Sequence, residues 1–186
     1  MNLSGGRLYV LSSPSGGGKS TIIRELRRRN PEFGYSISVT TRPQRKGEKQ
    51  GEDYYFVDES EFKKKIKEGA FVEWAEVYGF LYGTLWEEID KQIHNGKKVL
   101  FDIDVQGGIQ IKRKKQDAVL IFILPPSVQE LERRLRNRQT ESKIEIDKRL
   151  KNVQHELEFA QQYDFQVIND CFEKTIEDIE TIIRQI

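Results

Sequence analysis

The sequence of 186 residues predicts an α/β domain in which helices flank a mostly parallel sheet. Near-continuous apolar runs, typical of strands buried on both faces, alternate with helical segments. A glycine-rich turn joins the first apolar run to the first helical segment. The composition, 37% hydrophobic and 33% charged residues with a net charge of +1, fits a single domain.

The elements follow one another in a regular order. Residues 7–12 predict a buried strand, and the segment STIIRELRRRN predicts a helix closed by Asn30 and Pro31. YSISV predicts a second strand, and the polar loop after it ends in an aromatic strand. AFVEWAEVYGFLYG is rich in aromatic and β-branched residues and predicts further strands. KVLFDID and AVLIFILPP predict central strands, FQVIN predicts a shorter one, and EKTIEDIETIIRQI predicts the terminal helix.

Four capping boxes predict helix starts. In each, a capping side chain and a glutamate three residues later satisfy free backbone amides. The pairs are Asp58 with Glu61, Thr84 with Glu87, Ser127 with Glu130, and Ser142 with Glu145. Two segments, at about 36–90 and 134–150, interrupt the alternation of strands and helices.

Composition excludes several classes of function. The single cysteine, Cys171, excludes an intrachain disulfide framework and a multi-cysteine metal site. The balanced charge gives no reason to expect a nucleic-acid partner, and no apolar stretch is long enough to predict a membrane span. The N-terminus lacks the pattern of a signal peptide. We therefore expect a cytoplasmic enzyme.

The segment SSPSGGGKST follows the first predicted strand and opens the first helix, the context that makes a phosphate-binding loop specific. Gly18, Lys19 and Ser20 match G-x-x-x-x-G-K-[ST], whereas Ser13 stands at the first glycine position. Backbone amides of such a loop can point at phosphate oxygens, while the lysine reaches the β- and γ-phosphates and the serine hydroxyl reaches Mg²⁺. The alternative is a glycine-rich turn with an accidental lysine. We predict ATP binding by Ser13, Pro14, Ser15, Gly16, Gly17, Gly18, Lys19, Ser20 and Thr21.

The loop SVTTRPQRKGEKQGEDYYFV carries candidates for a second phosphate site. Arg42 and Arg45 lie three residues apart, and Tyr54 follows a glycine-bearing turn. Two guanidiniums and a phenol that converge would bind a phosphate monoester. The alternative is that the arginines are merely loop charges.

Six motifs resemble those of guanylate kinases and occur in the same order from about residue 5 to the C-terminus. The resemblance implies a P-loop NTPase-type sheet, an inserted nucleoside-monophosphate-binding subdomain and a small helical lid. It implies the reaction ATP + GMP ⇌ ADP + GDP with Mg²⁺. The implied parts are a core at about 1–35, 91–133 and 151–186, a GMP-binding subdomain at about 36–90 and a lid at about 134–150. The motifs are SSPSGGGKST, SVTTRPQR, GEDYYFV, FVEWAEVYGFLYGT, LFDIDVQG and YDFQVIND.

By position, the resemblance also implies two groups of GMP-binding residues. The phosphate group comprises Arg42, Arg45, Tyr54 and Tyr82. The guanine group comprises Ser38, Glu73 and Thr84, with Asp102 nearby. A carboxylate such as Glu73 can accept from both guanine N1–H and the N2 amine, whereas adenine would leave it unpaired. The alternative is that Glu73 belongs to the polar face of a strand.

Asp102 and Asp104 end a buried strand at the carboxyl edge of the predicted sheet, where open α/β sheets bind ligands. One could organise Mg²⁺ through water, together with Ser20, and the other could reach the guanine or ribose of GMP. The division of these roles stays open, as does the alternative that both aspartates cap helices.

The arginine-rich stretch ERRLRNRQTESKIEIDKRL is the predicted lid, whose arginines would stabilise the transferring phosphoryl group. By family position, Arg138 and Arg149 are the candidates, with Arg134 as a further one. Asn137 and Gln139 replace glycines that are frequent in the family. Asn169 resembles the position that contacts adenine.

Two other functions remain open at this stage. Guanylate-kinase-like scaffold domains bind phosphorylated peptides, but they typically lack a working P-loop. A related phosphotransferase could use another acceptor, although Ser38, Glu73 and Thr84 argue against it. For a guanylate kinase we expect ATP, GMP and dGMP as substrates, no nucleic-acid or membrane partner, and either a monomer or a homodimer.

Overall fold

The computed structural model describes residues 6–137 and 143–186, without the side chains at positions 91 and 143–149. The strands in chain order are β1 (Arg7–Ser12), β2 (Gly34–Tyr35), β3 (Val39–Thr40), β4 (Tyr55–Phe56), β5 (Phe71–Val77), β6 (Phe80–Leu85), β7 (Lys98–Asp102), β8 (Val119–Leu124) and β9 (Phe165–Ile168). The α-helices are α1 (Lys19–Arg29), α2 (Glu59–Lys67), α3 (Trp86–His94), α4 (Val105–Lys114), α5 (Val128–Arg136), α6 (Lys143–Glu158) and α7 (Phe172–Gln185).

The larger sheet has five parallel strands in the order β2-β7-β1-β8-β9. Strand β1 lies at its centre, with Tyr9 opposite both Leu100 of β7 and Val119 of β8. The parallel arrangement brings the carboxyl ends of β1 and β7, at Ser12 and Asp102, to the same edge of the sheet. The α/β class with a parallel sheet is confirmed.

Both faces of this sheet are buried, which explains why its strands read as continuous apolar runs. On one face, Val10, Phe101 and Phe122 pack with Ile89 of α3 and Ile111 of α4. The opposite face of the sheet packs against α1 and α7 through a second cluster. Its members include Leu11, Leu100, Ile121, Ile22, Leu26, Ile176 and Ile179. This rigid layer holds the loops at the carboxyl edge.

A smaller sheet in the order β4-β3-β6-β5 forms within the first interrupting segment. Helix α2 covers it through Phe62, whose ring stacks on Phe71 at a centroid distance of 4.5 Å. The prediction of one strand over YSISV is wrong. Tyr35 pairs with Leu100 in the larger sheet, whereas Val39 pairs with Gly83 in the smaller one. The chain crosses from one sheet to the other at 36–38, so neither short strand can extend through this stretch.

The capping boxes have mixed outcomes. Asp58 and Ser127 accept hydrogen bonds from the amides of the residues three positions on, as predicted. The prediction for Thr84 is wrong, because Thr84 is a buried residue of β6 and α3 begins only at Trp86. Its hydroxyl lies 3.4 Å from Ser38 Oγ, on the neighbouring segment of the smaller sheet. Ser142 lies outside the described residues.

Helices α5 and α6 pack together through a small apolar cluster that includes Leu131, Leu135 and Val153. The predicted lid begins in the last turns of α5 and ends on α6, and its central residues 138–142 lie outside the described part of the chain. Within the described ranges, no helix has the length and apolar character needed to cross a membrane.

Candidate functional site: a cavity at the carboxyl edge of the sheet

The glycine-rich loop connects β1 to α1 and is shaped by its glycines. Gly16 and Gly18 have φ angles of +88° and +90°, a conformation that side chains disfavour. Gly17 donates its amide to Pro14 O at 2.9 Å, which closes the first turn. A Cβ on Gly17 would lie 2.8 Å from the Cβ of Ser13, so the serine at the first motif position packs where residue 17 has no side chain.

Lys19 lies at the start of α1 and points across the edge of the sheet. Its Nζ lies 2.9 Å from Asp102 Oδ1 and donates to Ile103 O at 2.5 Å. Both partners come from the carboxyl end of β7, which runs parallel to β1. The ammonium group is thus held at the carboxyl edge of the sheet, beside the glycine-rich loop.

Asn169 supports the loop from behind. It is 7% exposed, and its Nδ2 donates to Gly17 O at 2.8 Å. A Cβ on Gly18 would lie only 2.7 Å from the same Nδ2, so the close approach requires glycine. Glu156 of α6 accepts from the amide of Ser15 at 2.9 Å, and Arg134 donates to Asn169 O at 3.2 Å. The loop is therefore held by α6 through Glu156 and by the segment after β9 through Asn169, which in turn accepts from Arg134 of α5.

Arg42 lies on the loop after β3 and has a fixed orientation. Its guanidinium donates to Glu48 Oε1 at 2.8 Å and to Pro43 O at 2.7 Å, and it lies over the rings of Tyr54 and Phe56. Burial alone would lower the pKa of Arg42, but the combined hydrogen bonds and charges of Glu48 and Tyr82 outweigh it and the pKa is raised. Burial likewise works against ionisation of Glu48, yet Arg42 keeps the pKa of that carboxyl below its usual value. Both groups are therefore charged.

Two tyrosines and a second arginine lie near Arg42 and line the same cavity. The rings of Tyr54 and Tyr82 meet edge to face at 6.0 Å. Burial raises the pKa of the Tyr54 phenol, so it stays a hydrogen-bond donor. Arg45 is exposed at the rim, where its own amide donates to Glu48 Oε2 at 2.8 Å.

Glu73 is a buried carboxyl on β5, opposite Thr84 of β6 and 2% exposed. Its Oε1 has no hydrogen-bond partner among the described residues. Burial raises its pKa to about 7, with Thr84 acting in the opposite direction and Asp104 adding to the rise. A buried acceptor that lacks a donor is costly, and a ligand donor would relieve that cost.

The two aspartates have different surroundings. Asp104 caps α4, accepting from Gly107 N at 2.8 Å, as the capping alternative requires. Asp102 is the last residue of β7, and its partner is Lys19. The serine at the end of β1, Ser12, donates to the carbonyls of Ile103 and Asp104, which ties this turn to the glycine-rich loop.

A cavity of about 610 Å³ lies between the two sheets. Its lining contains about half of the sequence-predicted residues that the structure describes, whereas Asn169, Thr84, Thr21 and residues 13–18 of the loop do not line it. Arg138 lies outside the described residues, and the side chain of Arg149, on α6, is likewise not described. The predicted residues on the wall are Lys19, Ser20, Ser38, Arg42, Arg45, Tyr54, Glu73, Tyr82, Asp102 and Asp104.

Sequence reasoning missed Glu48, Glu156 and Gly107. Glu48 orients Arg42, but it is one of several charges in a polar loop, and nothing in the spacing singles it out. Glu156 is more than 140 positions from its partner Ser15. Gly107 stands in the quoted motif LFDIDVQG, where the glycine was a usable signal of close packing.

Comparisons with known proteins agree with this geometry. The family model described as guanylate kinase matches residues 5–186. A guanylate kinase of Myxococcus xanthus is 49% identical over 179 residues, covering 96% of this chain and 86% of the relative. A guanylate kinase of Thermotoga maritima is 42% identical over 179 residues, with the same coverage of 96% and 86%.

Solved structures are similar to this chain as well. The crystal structure of guanylate kinase from Anaplasma phagocytophilum superposes with a TM-score of 0.82 at 37% identity, over 97% of this chain and 86% of that one. The SH3-kinase fragment of tight junction protein 3 superposes with a TM-score of 0.52 at 10% identity, over 100% of this chain and 59% of that one. The second likeness concerns the fold alone.

Proposed function

The chain belongs to the guanylate kinase family, and on that premise we propose that it transfers the γ-phosphoryl group of ATP to GMP within the 610 Å³ cavity. The products are ADP and GDP. One observation carries the proposal. A single cavity is lined both by Lys19 and Ser20 of the glycine-rich loop and by Arg42, Tyr54 and Glu73 of the inserted segment. A donor phosphate and an acceptor nucleotide would therefore meet in one cavity.

The glycine-rich loop is the donor end. Loop amides and Lys19 bind the phosphate chain of ATP, and the lysine leaves Asp102 and Ile103 O to do so. Asn169 contributes through Gly17, in addition to any contact with adenine that the family position suggests.

The inserted segment is the acceptor end. Arg42, held by Glu48, presents its guanidinium with Arg45, Tyr54 and Tyr82 to the GMP phosphate. Glu73, with Ser38 and Thr84 beside it, accepts from guanine N1–H and the N2 amine. Adenine lacks this pair of donors, so AMP would leave the buried carboxyl unpaired. Nothing in this recognition requires the ribose 2′-hydroxyl, and we expect dGMP to be used as well.

Transfer proceeds in line. An oxygen of the GMP phosphate attacks the γ-phosphorus, the bond from that phosphorus to the β–γ bridging oxygen breaks, and ADP leaves. The acceptor oxygen is already ionised, so no general base is needed. Catalysis comes from positioning and from stabilising charge on the transferring group. Arg138 and Arg149 are proposed to supply part of that charge on the strength of their family positions.

The donor end also fits Mg²⁺. Among the described residues there is no cluster of three or more metal-ligating side chains, but Ser20 and Asp102 both line the cavity. Magnesium in such enzymes keeps several waters and takes one or two protein oxygens besides the substrate phosphates. Ser20 would hold the ion directly and Asp102 through water. When bound, Mg²⁺ neutralises charge on the β- and γ-phosphate oxygens.

An acceptor panel tests the proposal. ADP release from Mg·ATP is measured with GMP, dGMP, IMP, AMP, CMP, UMP or dTMP, and without acceptor. We expect fast release with GMP and dGMP and near-background release with AMP and the pyrimidine nucleotides. Fast release with AMP would overturn the role of Glu73, and no release with any acceptor from folded protein would overturn the kinase assignment. Cytoplasmic location stays a prediction from the sequence, checked by cell fractionation.

A further inference from the structure

Strand β5 is an edge strand of the smaller sheet, and side chains of α4 bind its free backbone groups. Gln110 makes two bonds to one residue, because its Oε1 accepts from Trp74 N at 3.2 Å and its Nε2 donates to Trp74 O at 2.7 Å. Lys114 donates to Val72 O at 2.5 Å. The side chains of Gln110 and Lys114 thus bind the backbone groups that a neighbouring strand would otherwise pair with.

These two anchors bracket Glu73, which lies between Val72 and Trp74. Oε1 of this carboxyl has no partner among the described residues, whereas Thr84, on the paired strand β6, hydrogen bonds the carboxyl and lowers its pKa. The direction of the carboxyl is therefore set by Thr84, by the backbone on either side of Glu73 and by the group that Oε2 packs against.

Glu73 Oε2 packs against Gly107, which lies in the first turn of α4. A Cβ added at Gly107 would lie 2.6 Å from Glu73 Oε2 and 3.2 Å from Asp104 Oδ1. Gly107, Gln110 and Lys114 are spaced i, i+3 and i+7, so they form one face of the helix. The same helix is fixed to the glycine-rich loop, because Ser12 donates to the carbonyls of Ile103 and Asp104 at its start.

We propose that this face of α4 positions the Glu73 carboxyl for guanine: Gly107 supplies the room, and Gln110 and Lys114 hold the strand in register. The proposal rests on the proposed role of Glu73 in recognising guanine. It makes Gly107 and Gln110 determinants of base selectivity, although neither is placed in contact with GMP.

Gly107→Ala is the decisive variant. Gly107 does not have a positive φ, and alanine is a better helix former than glycine, so the helix itself is not weakened. The atoms that the new methyl group meets are the carboxylate ends of Glu73 and, less closely, Asp104, which can move aside without disrupting the fold. We expect an unchanged unfolding midpoint and KM for ATP, with KM for GMP raised about 10-fold, the loss of one good hydrogen bond.

The GMP/IMP ratio of kcat/KM separates positioning from stability. IMP keeps N1–H but lacks the N2 amine, so the ratio reports the contact between Glu73 and that amine. We expect Gly107→Ala and Gln110→Met to lower the ratio, while Gln161→Met, at an exposed glutamine of the 3₁₀ turn Phe159–Gln162, leaves it unchanged. An unchanged ratio and KM for GMP in Gly107→Ala would overturn the proposal, whatever Gln110→Met does to folding.

Glu73→Gln, measured in parallel, distinguishes this proposal from the one on which it rests. If Glu73→Gln keeps the wild-type GMP/IMP ratio, the role of Glu73 itself is wrong. If Glu73→Gln loses discrimination while Gly107→Ala keeps it, only the positioning role of α4 is wrong.

Discussion

Glu73→Gln should stabilise the protein without nucleotide, and the gain should depend on pH. Burial raises the pKa of Glu73 from 4.5 to about 7. The folded state therefore favours the protonated carboxyl, and wild-type stability is lost as the pH rises from about 4.5 through 7. A difference of this size corresponds to about 3 kcal/mol when the group is fully ionised. Between pH 5 and pH 8.5 the stability advantage of Glu73→Gln should grow by about 2–3 kcal/mol.

Urea unfolding of both proteins at several pH values measures this change directly. Any fixed difference in packing between glutamate and glutamine is the same at every pH. The test is therefore how much the difference in free energy of unfolding between the two proteins grows with pH. Glu76→Gln, at an exposed position of the same strand, is the matched control and should show no such growth. Parallel pH dependence in wild type and Glu73→Gln would refute the reasoning.

Saturating GMP should reduce, at high pH, the difference in unfolding free energy between Glu73→Gln and the wild type. Its guanine donors would hydrogen bond the ionised carboxylate that the empty site leaves without a partner. The same mutation should abolish most of the preference for GMP over AMP in the acceptor panel. Glu73→Gln should thus be more stable than the wild type and less selective for GMP. This combination is expected when a recognition group is kept at a cost to stability.

Three further predictions concern the phosphate sites and one the lid. Lys19→Met should lower kcat about 100-fold or more with little change in KM for GMP, whereas Lys64→Met, an exposed lysine of α2, should behave as wild type in the same steady-state assay. Arg42→Lys should raise KM for GMP by about 10-fold or more, because the lysine keeps the charge but loses the planar fork; an unchanged KM would remove Arg42 from the phosphate site. Asn169→Ala should raise KM for ATP about 10-fold through loss of the bond to the loop, which nucleotide-binding titrations can check. Arg138→Ala should lower turnover far more than GMP affinity, and near-normal turnover would exclude that arginine from the mechanism.

Much of the fold could be predicted from local patterns. Central strands buried on both faces read as apolar runs, and the side chains of Asp58 and Ser127 cap their helices as expected. The pattern at Thr84 was equally good, yet its burial in β6 placed the hydroxyl beside Ser38 instead. Tertiary packing therefore overrode a local signal at a residue of the candidate site.

The candidate site was predictable where residue type and spacing constrain chemistry, as in the glycine-rich loop. Contacts between distant segments were not predictable in that way. The contact of Asn169 with adenine stays a prediction from its family position, whereas the bond from its amide to Gly17, across 152 positions of sequence, was not predicted. The helix α4 carries a similar hidden role, because Gln110 and Lys114 look like ordinary polar residues of a surface helix until the edge of β5 is placed beside them.

The bonds from α4 to β5 also bear on how the protein behaves in concentrated solution. An edge strand with free backbone groups can pair with a strand of another molecule and start aggregation. Gln110 and Lys114 occupy backbone groups of Trp74 and Val72 in the first half of β5. Another chain would have to displace both side chains before it could pair there. The contacts of Gln110 and Lys114, which we propose position the Glu73 carboxyl, thus also make this edge of β5 a poor template for aggregation.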